Sequence, residues 1–158
     1  MINGSGEMIR GGTLCLSKAG LKIGNSDTKD VDIAAPNGAG VDFCINGINY
    51  HKADAADIAI TAGDVVAALY SVILLVCLDS SGTLSTVRGD EVLTADITSG
   101  KEPLTWPQPV DDTCPIGAVR VDVATGYTFT PGTTDFDAAG ITDTYYDLFA
   151  VPDTPITS

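Results

Sequence analysis

The stretch Val65–Leu78, VVAALYSVILLVCL, is the longest apolar run in the chain, and it limits what the chain can become. A helix that crosses a bilayer needs roughly 18 to 20 apolar residues. This run has 14, and Asp64 and Asp79 close it at either end. It therefore belongs to a protein interior. Its second part, LYSVILLVCL, is continuous rather than alternating and rich in branched side chains, the pattern of a strand covered on both faces. DSSG follows, with Asp and Ser to hydrogen-bond the backbone locally and Gly to supply positive φ. TLSTVRG then reads as the return strand of a hairpin, although Leu84 and Val87 alternate less cleanly.

Around this unit the chain repeats short β-like runs separated by turn residues. TLCLS can form one short strand, and GLKIGNSD places Leu21 and Ile23 on one face. DVDIAAPNGAG does the same with Val31 and Ile33 before breaking at Pro36-Asn37-Gly38. VDFCINGINY alternates Val41, Phe43 and Ile45 with Asp42, Cys44 and Asn46, and its Asn46-Gly47 is a strong hairpin signal. DIAIT, residues 57–61, is a further strand candidate. Residues 89–98 suit a short helix with Asp90 as N-cap and Val92, Leu93 and Ile97 inward. KEPLTWPQPVDDTCP holds four of the eight prolines and must be an irregular connector. Beyond it, Ile116 and a stripe of Val119, Val121 and Val123 alternate with Arg120 and Asp122. YTFT can continue that sheet after a turn at Gly126, and DTYYDLFAV closes the fold.

Many short strands with at most one short helix predict a mainly β protein, an antiparallel sandwich or barrel. Residues 1–18 read as an N-terminal arm, ordered by a partner over its first dozen residues, and 19–158 as a single β-rich domain.

Eight basic against 21 acidic side chains give a net charge of −13. That balance excludes a phosphate-backbone partner and an anionic membrane surface, because both need clustered Lys and Arg. Cys15, Cys44, Cys77 and Cys114 are widely spaced, so neither a zinc knuckle nor a C-x-x-C redox site is expected. The first residues contain no signal-peptide stretch, which points to a reducing cytoplasm and free thiols. The single histidine, His51, belongs to no nucleophile-elbow pattern, and no phosphate loop or dinucleotide fingerprint occurs.

The carboxylates are the remaining chemical candidates. Asp27, Asp30 and Asp32 in DTKDVDI, and Asp135 and Asp137 in DFD, offer oxygens to a calcium ion. Neither group has the Gly and terminal Glu of an EF-hand loop. Alternating Asp on a strand is ordinarily its solvated face. In TFTPGTTDFDAAGITDTYYDLF the expected reading is a rigid loop and strand. Thr133, Thr134 and Asp135 bond their own backbone there, Phe136 and Ile141 point inward, and Asp137 and Asp143 face water. No catalytic, cofactor-binding or metal-binding residue is expected.

Read together, LYSVILLVCLDSSGTLSTVRGDEV and PQPVDDTCPIGAVRVDVATGYTFTPGTTDFDAAGITDTYYDL resemble virion structural proteins of tailed bacteriophages. INGINYHKADAADIAIT is similar to a hairpin of the same proteins, so the resemblance covers about residues 40–150. Among virion roles it points to a head decoration, or capsid cement, protein. It implies a small, non-enzymatic β-rich protein on the virion's capsid surface, made in the host cytoplasm. Its implied partners are the major capsid protein and its own copies, commonly as a homotrimer. A head or tail fibre, or a receptor-binding β-module, is the alternative. Met8, Ile9 and Arg10 in the arm are the expected partner-binding residues.

Overall fold

The computed structural model of the protein describes residues 12–157. Among these the chain is mainly β, with antiparallel sheets stacked as a sandwich and no closed barrel. The central element is β7, Tyr70–Asp79, and every residue from Ser71 to Leu78 is buried. Alternate side chains enter two different cores. Val72, Leu74, Val76 and Leu78 join one, while Ile73, Leu75 and Cys77 join the other. This is the packing that a continuous apolar strand requires, since neither face can be left to water.

Two long strands extend the sheet from β7 in the order β11-β10-β7-β8. β8 is Leu84–Arg88, paired through Leu78↔Leu84 across the expected DSSG turn. Asp79 Oδ1 accepts the N–H groups of Ser81, at 2.8 Å, and Thr83, at 2.9 Å, and so fixes that turn. β10 is Thr113–Val123 and β11 is Ile141–Asp147. β10 begins inside the Pro-rich stretch and carries Pro115, tolerated at a bulge where the register shifts between Pro115 and Gly117. Gly117 is required by a close approach. A Cβ there would lie 2.2 Å from Leu21 Cδ1 and 2.5 Å from the Tyr146 carbonyl oxygen.

Smaller sheets cover one face of this central sheet. One contains β1, Leu14–Cys15, β4, Val41–Ile45, and β5, Ile48–Lys52. The other contains β2, Leu21–Ile23, β3, Val31–Ile33, and β6, Ala55–Ile58. The β4–β5 hairpin closes through Ile45↔Ile48 with Asn46 at φ 49° and Gly47 at φ 83°, the two positive angles of a type I′ turn. Phe43, Phe129 and Phe136 are fully buried between the layers.

The opposite face is covered by one helix, the connector and the C-terminal segment. Helix α1 spans Thr94–Ser99 and buries Ile97. The sequence placed this helix from residue 89 with Asp90 as its cap, and that is corrected. Val92 and Leu93 are instead β9, bonded to Ser71 and Tyr70 of β7, so the helix starts five residues later. Leu104 and Ile156 form an isolated bridge, and Trp106 Nε1 donates to the Thr154 carbonyl at 2.9 Å. YTFT does not extend a strand; Phe129 makes a single bridge to Val66. The DIAIT strand runs earlier than expected, as β6. Among the described residues no helix is long and apolar enough to cross a membrane.

Because β7 is buried on both faces, adjacent residues should be equally sensitive. Leu74→Ala and Leu75→Ala are each expected to cost about 2–5 kcal/mol in chemical denaturation. A one-sided strand would show one large and one negligible loss.

Candidate functional site

The acidic closing segment was the chemical candidate in the sequence; it folds as a loop and strand in which Asp147 is the carboxylate that takes up backbone N–H groups. Thr134 Oγ1 accepts the Thr130 N–H at 3.0 Å, while the Thr133 and Thr134 N–H groups return to the Thr130 carbonyl. Thr134 thus ties this turn with its side chain, whereas Asp135 contributes its carbonyl, which accepts the Ala138 N–H at 3.2 Å. Phe136 anchors the loop in the core, with ring centroids 5.3 Å from Phe129 and 6.2 Å from Tyr145. Asp147 Oδ1 accepts the N–H groups of Gly20 and Leu21, joining β11 to the start of β2. Asp143 is half-buried in β11. The hydroxyl of Tyr145 is buried near Asp143 and makes no well-aligned hydrogen bond among the described residues. Burial first, then Asp143, Asp137 and Asp32, push its ionisation above the ordinary phenol value.

The Asp27–Asp32 group differs from the expected solvated face. Asp32 is 3% exposed and Asp30 is 7% exposed. Asp32 accepts the Asp57 N–H at 2.7 Å and pairs with Lys22 at 3.4 Å. Asp57, at φ 51°, in turn accepts the N–H groups of Ser26 and Asp27 through one carboxylate oxygen. Asp27 pairs with Lys29. These carboxylates close the β2–β3 turn against β6. Among the described residues no three His, Cys, Asp or Glu side chains are arranged to hold a metal ion.

His51 lies on β5 opposite Asp42, with Nδ1 2.8 Å from Asp42 Oδ1 and both side chains more than half exposed. Ser17 Oγ accepts the Asp42 N–H rather than meeting the imidazole. All four cysteines are free and buried. Burial pushes the Cys77 thiol up to about 11 and the Cys114 thiol up to about 12, and it also raises that of Cys15.

Two of the surface clefts lie beside backbone held at positive φ. A groove of about 390 Å³ runs beside Leu69, Leu93, Ala95, Val123 and Ala124. Leu69 is held at φ 72°, a strained angle for a leucine, by its N–H to the Val123 carbonyl and its carbonyl's bond from the Thr94 N–H. The second cleft, of about 330 Å³, lies where the described chain begins. Gly12 accepts the Gly47 N–H at 3.1 Å, Thr13 Oγ1 accepts the Asn46 N–H, and Asn46 Nδ2 donates to Asp112 at 2.8 Å. Thr13, Asn46, Pro109, Val110, Asp112 and Ala150 line it. Val110 is 59% exposed. The expected partner-binding residues Met8, Ile9 and Arg10 lie outside the described residues. Val110, Ile48 and Phe149 are exposed apolar side chains that the sequence reading missed. The signals were a Val between prolines and acids, an Ile just past a hairpin turn and a Phe just past the last strand.

Comparison with known proteins finds no matching family model, no matching curated protein and no matching solved structure.

Thiol accessibility tests the cysteine environment directly. Ellman's reagent should find no fast-reacting thiol in the native protein and all four after denaturation.

The pH dependence of stability should be biphasic. Hydrogen bonds from Asp27 and Ser26 hold the Asp57 carboxyl below its ordinary range, and those from Ser81 and Thr83 do so for Asp79. Their stabilisation is complete above the unfolded value of about 3.9 and is lost as pH falls through the lower folded values. Asp30 is raised by burial and by Asp27, so its contribution is present below the unfolded value and lost as pH rises through the folded one. Thermal melts should therefore show a small gain on mild acidification and then a fall below about pH 4. Asp30→Asn should remove the gain, and Asp57→Asn with Asp79→Asn should flatten the fall. An unchanged acid limb in the double variant would refute these assignments.

Proposed function

We propose that this protein is a non-enzymatic bacteriophage head decoration, or cement, protein. It binds the major capsid protein on the outer surface of the head and stabilises the shell as a homo-oligomer, with a trimer favoured. The observation that carries this reading is that the phrases resembling virion structural proteins converge on one structural unit. The LYSVILLVCLD phrase is β7, and its Asp79 fixes the turn into β8. The glycine of PIGAVRV is the residue against which Leu21 packs. The TTDFDAAGIT phrase is the loop held by Phe136, and TDTYYD is β11. A resemblance made of scattered surface residues would carry less weight than one made of residues that depend on each other.

Three features support binding by shape rather than reaction. The carboxylates serve as turn acceptors and loop locks, the shifted thiols sit above physiological pH, and His51 pairs with an exposed Asp42. Residues 12 and 13 are bonded to the β4–β5 turn, beside the Val110 cleft. An arm starting there would add reach to a contact made by that end of the domain.

Quantifying the proteins of purified particles tests the proposal. The chain should be present in stoichiometric copies on capsids, and capsids lacking it should rupture at lower temperature. Deleting residues 1–11 should leave the domain's melting unchanged and weaken capsid binding about tenfold, the equivalent of 1.4 kcal/mol. Absence from particles would overturn the proposal. Recovery only on tails would shift it to a fibre module.

A further inference from the structure

An asparagine followed by glycine can modify itself. The glycine nitrogen, having given its proton to hydroxide, attacks the asparagine Cγ and closes a succinimide ring, and the side-chain nitrogen takes up a proton and leaves as ammonia. Water then opens either ring carbonyl, giving aspartate or isoaspartate. The net change is one water consumed and one ammonia released, with no oxidant or reductant. Glycine favours the reaction because it has no side chain to obstruct the approach of its nitrogen. The described residues contain two such pairs, Asn37-Gly38 and Asn46-Gly47, equal as sequence and both exposed. The structure distinguishes them by what must open before the ring can close.

Asn46-Gly47 forms the type I′ turn of the β4–β5 hairpin, directly ahead of the Ile45↔Ile48 pair. Asn46 Nδ2 donates to Asp112 Oδ1 at 2.8 Å, and the Asn46 N–H donates to Thr13 Oγ1 at 3.1 Å. The Gly47 N–H donates to the Gly12 carbonyl at 3.1 Å. The attacked amide and the attacking nitrogen are thus both held, by partners from two other segments. Turning Asn46 toward ring closure breaks these bonds and disturbs the hairpin behind them.

Asn37-Gly38 lies in the connection from β3 to β4, where residues 36–39 are all exposed. Its attacking nitrogen is held within its own turn, by the bond from the Gly38 N–H to the Ala35 carbonyl at 2.8 Å. A Cβ built on Gly38 would meet nothing within 4 Å, so no packing opposes movement there. Asn37 Oδ1 accepts the Ala39 N–H at 2.9 Å, an Asx turn that folds the side chain back over its own backbone. The same N–H sits where negative charge develops on that oxygen as the nitrogen adds, as a donor in an oxyanion hole does.

We infer that Asn37 is a self-modification site of the folded protein, converting through a succinimide to aspartate and isoaspartate, while Asn46 is protected by Asp112, Thr13 and Gly12. Each event replaces a neutral amide with a carboxylate in a chain that already carries a net charge of −13. The isoaspartate product also routes the main chain through the former side chain, which lengthens the β3–β4 connection by one carbon. The inference stands on these two turns and does not rest on the virion reading.

Ageing the full chain in mildly alkaline buffer, followed by peptide mapping with mass spectrometry, tests it. The Asn37 peptide should convert first, and a protein isoaspartyl methyltransferase should label it. Asn46 should convert at least about tenfold more slowly while the protein is folded, and at a similar rate in denaturant. Mapping by peptide keeps both apart from Asn3-Gly4, which lies outside the described residues. Asp112→Gly suits the positive φ of residue 112 and removes the acceptor of the Asn46 amide. It should raise the conversion of Asn46 several-fold and leave that of Asn37 unchanged. Native Asn46 converting as fast as Asn37 would overturn the inference. So would a native Asn37 that stays intact under conditions that convert the denatured chain. Unaltered Asn46 conversion in Asp112→Gly would overturn the assigned protection.

Discussion

The fold depends on a single strand having no exposed face. From Ser71 to Leu78 each residue of β7 is buried, and successive side chains feed two separate cores. A strand of this kind cannot sit at the margin of a sheet. It needs strands on both sides to satisfy its backbone and a covering layer above and below. The rest of the architecture follows: β10 on one side, β8 and β9 on the other, the two small sheets on one face, and α1 with the connector and C-terminal segment on the other. Even Gly117 answers to this need, because the covering layer approaches β10 so closely that Leu21 occupies the space of a side chain.

What was legible in the sequence was whatever depends on neighbours along the chain. The β4–β5 turn was legible because Asn46-Gly47 takes two positive φ angles that few other pairs accept. β7 was legible because an unbroken apolar run has few alternatives. The start of α1 was not, because Val92 and Leu93 have the spacing of a helix but are drawn into β7's ladder at Ser71 and Tyr70. Tertiary hydrogen bonding overrode the local pattern there. Asp32 was misread for the same reason. Its alternation with Val31 and Ile33 says solvent, while its burial is made acceptable by an N–H from Asp57 and by Lys22, which come from other strands. Beyond Val110 itself the cleft had no signal, since it is assembled from residues near 13, 46, 110 and 150.

The same distinction separates the carboxylates that matter structurally from those that merely add charge. Asp57, Asp79 and Asp147 each accept two backbone N–H groups, which is a mechanical role in holding a turn or joining two strands. The hydrogen bonds that Asp57 and Asp79 accept favour their ionised form and hold them low, while burial pushes Asp30 up. Crowded acids in a sequence are therefore poor evidence of chemistry when Gly, Ser and Thr surround them. Those neighbours supply the N–H groups and the loop geometry that make a carboxylate a turn lock.

A sheet built outward from one doubly buried strand has to end somewhere, and the way it ends determines what the molecule can touch. At β8 the chain supplies Thr61 to take up the Thr86 N–H, so that margin is covered at its middle. Just past β11 the chain passes into a bond between layers, where the Phe149 carbonyl takes the Cys15 N–H of β1 at 2.8 Å. Nature usually blunts such margins with lysine, proline or a bulge, because an open edge recruits any strand it meets. A net charge of −13 works in the same direction, since it disfavours broad contact between copies.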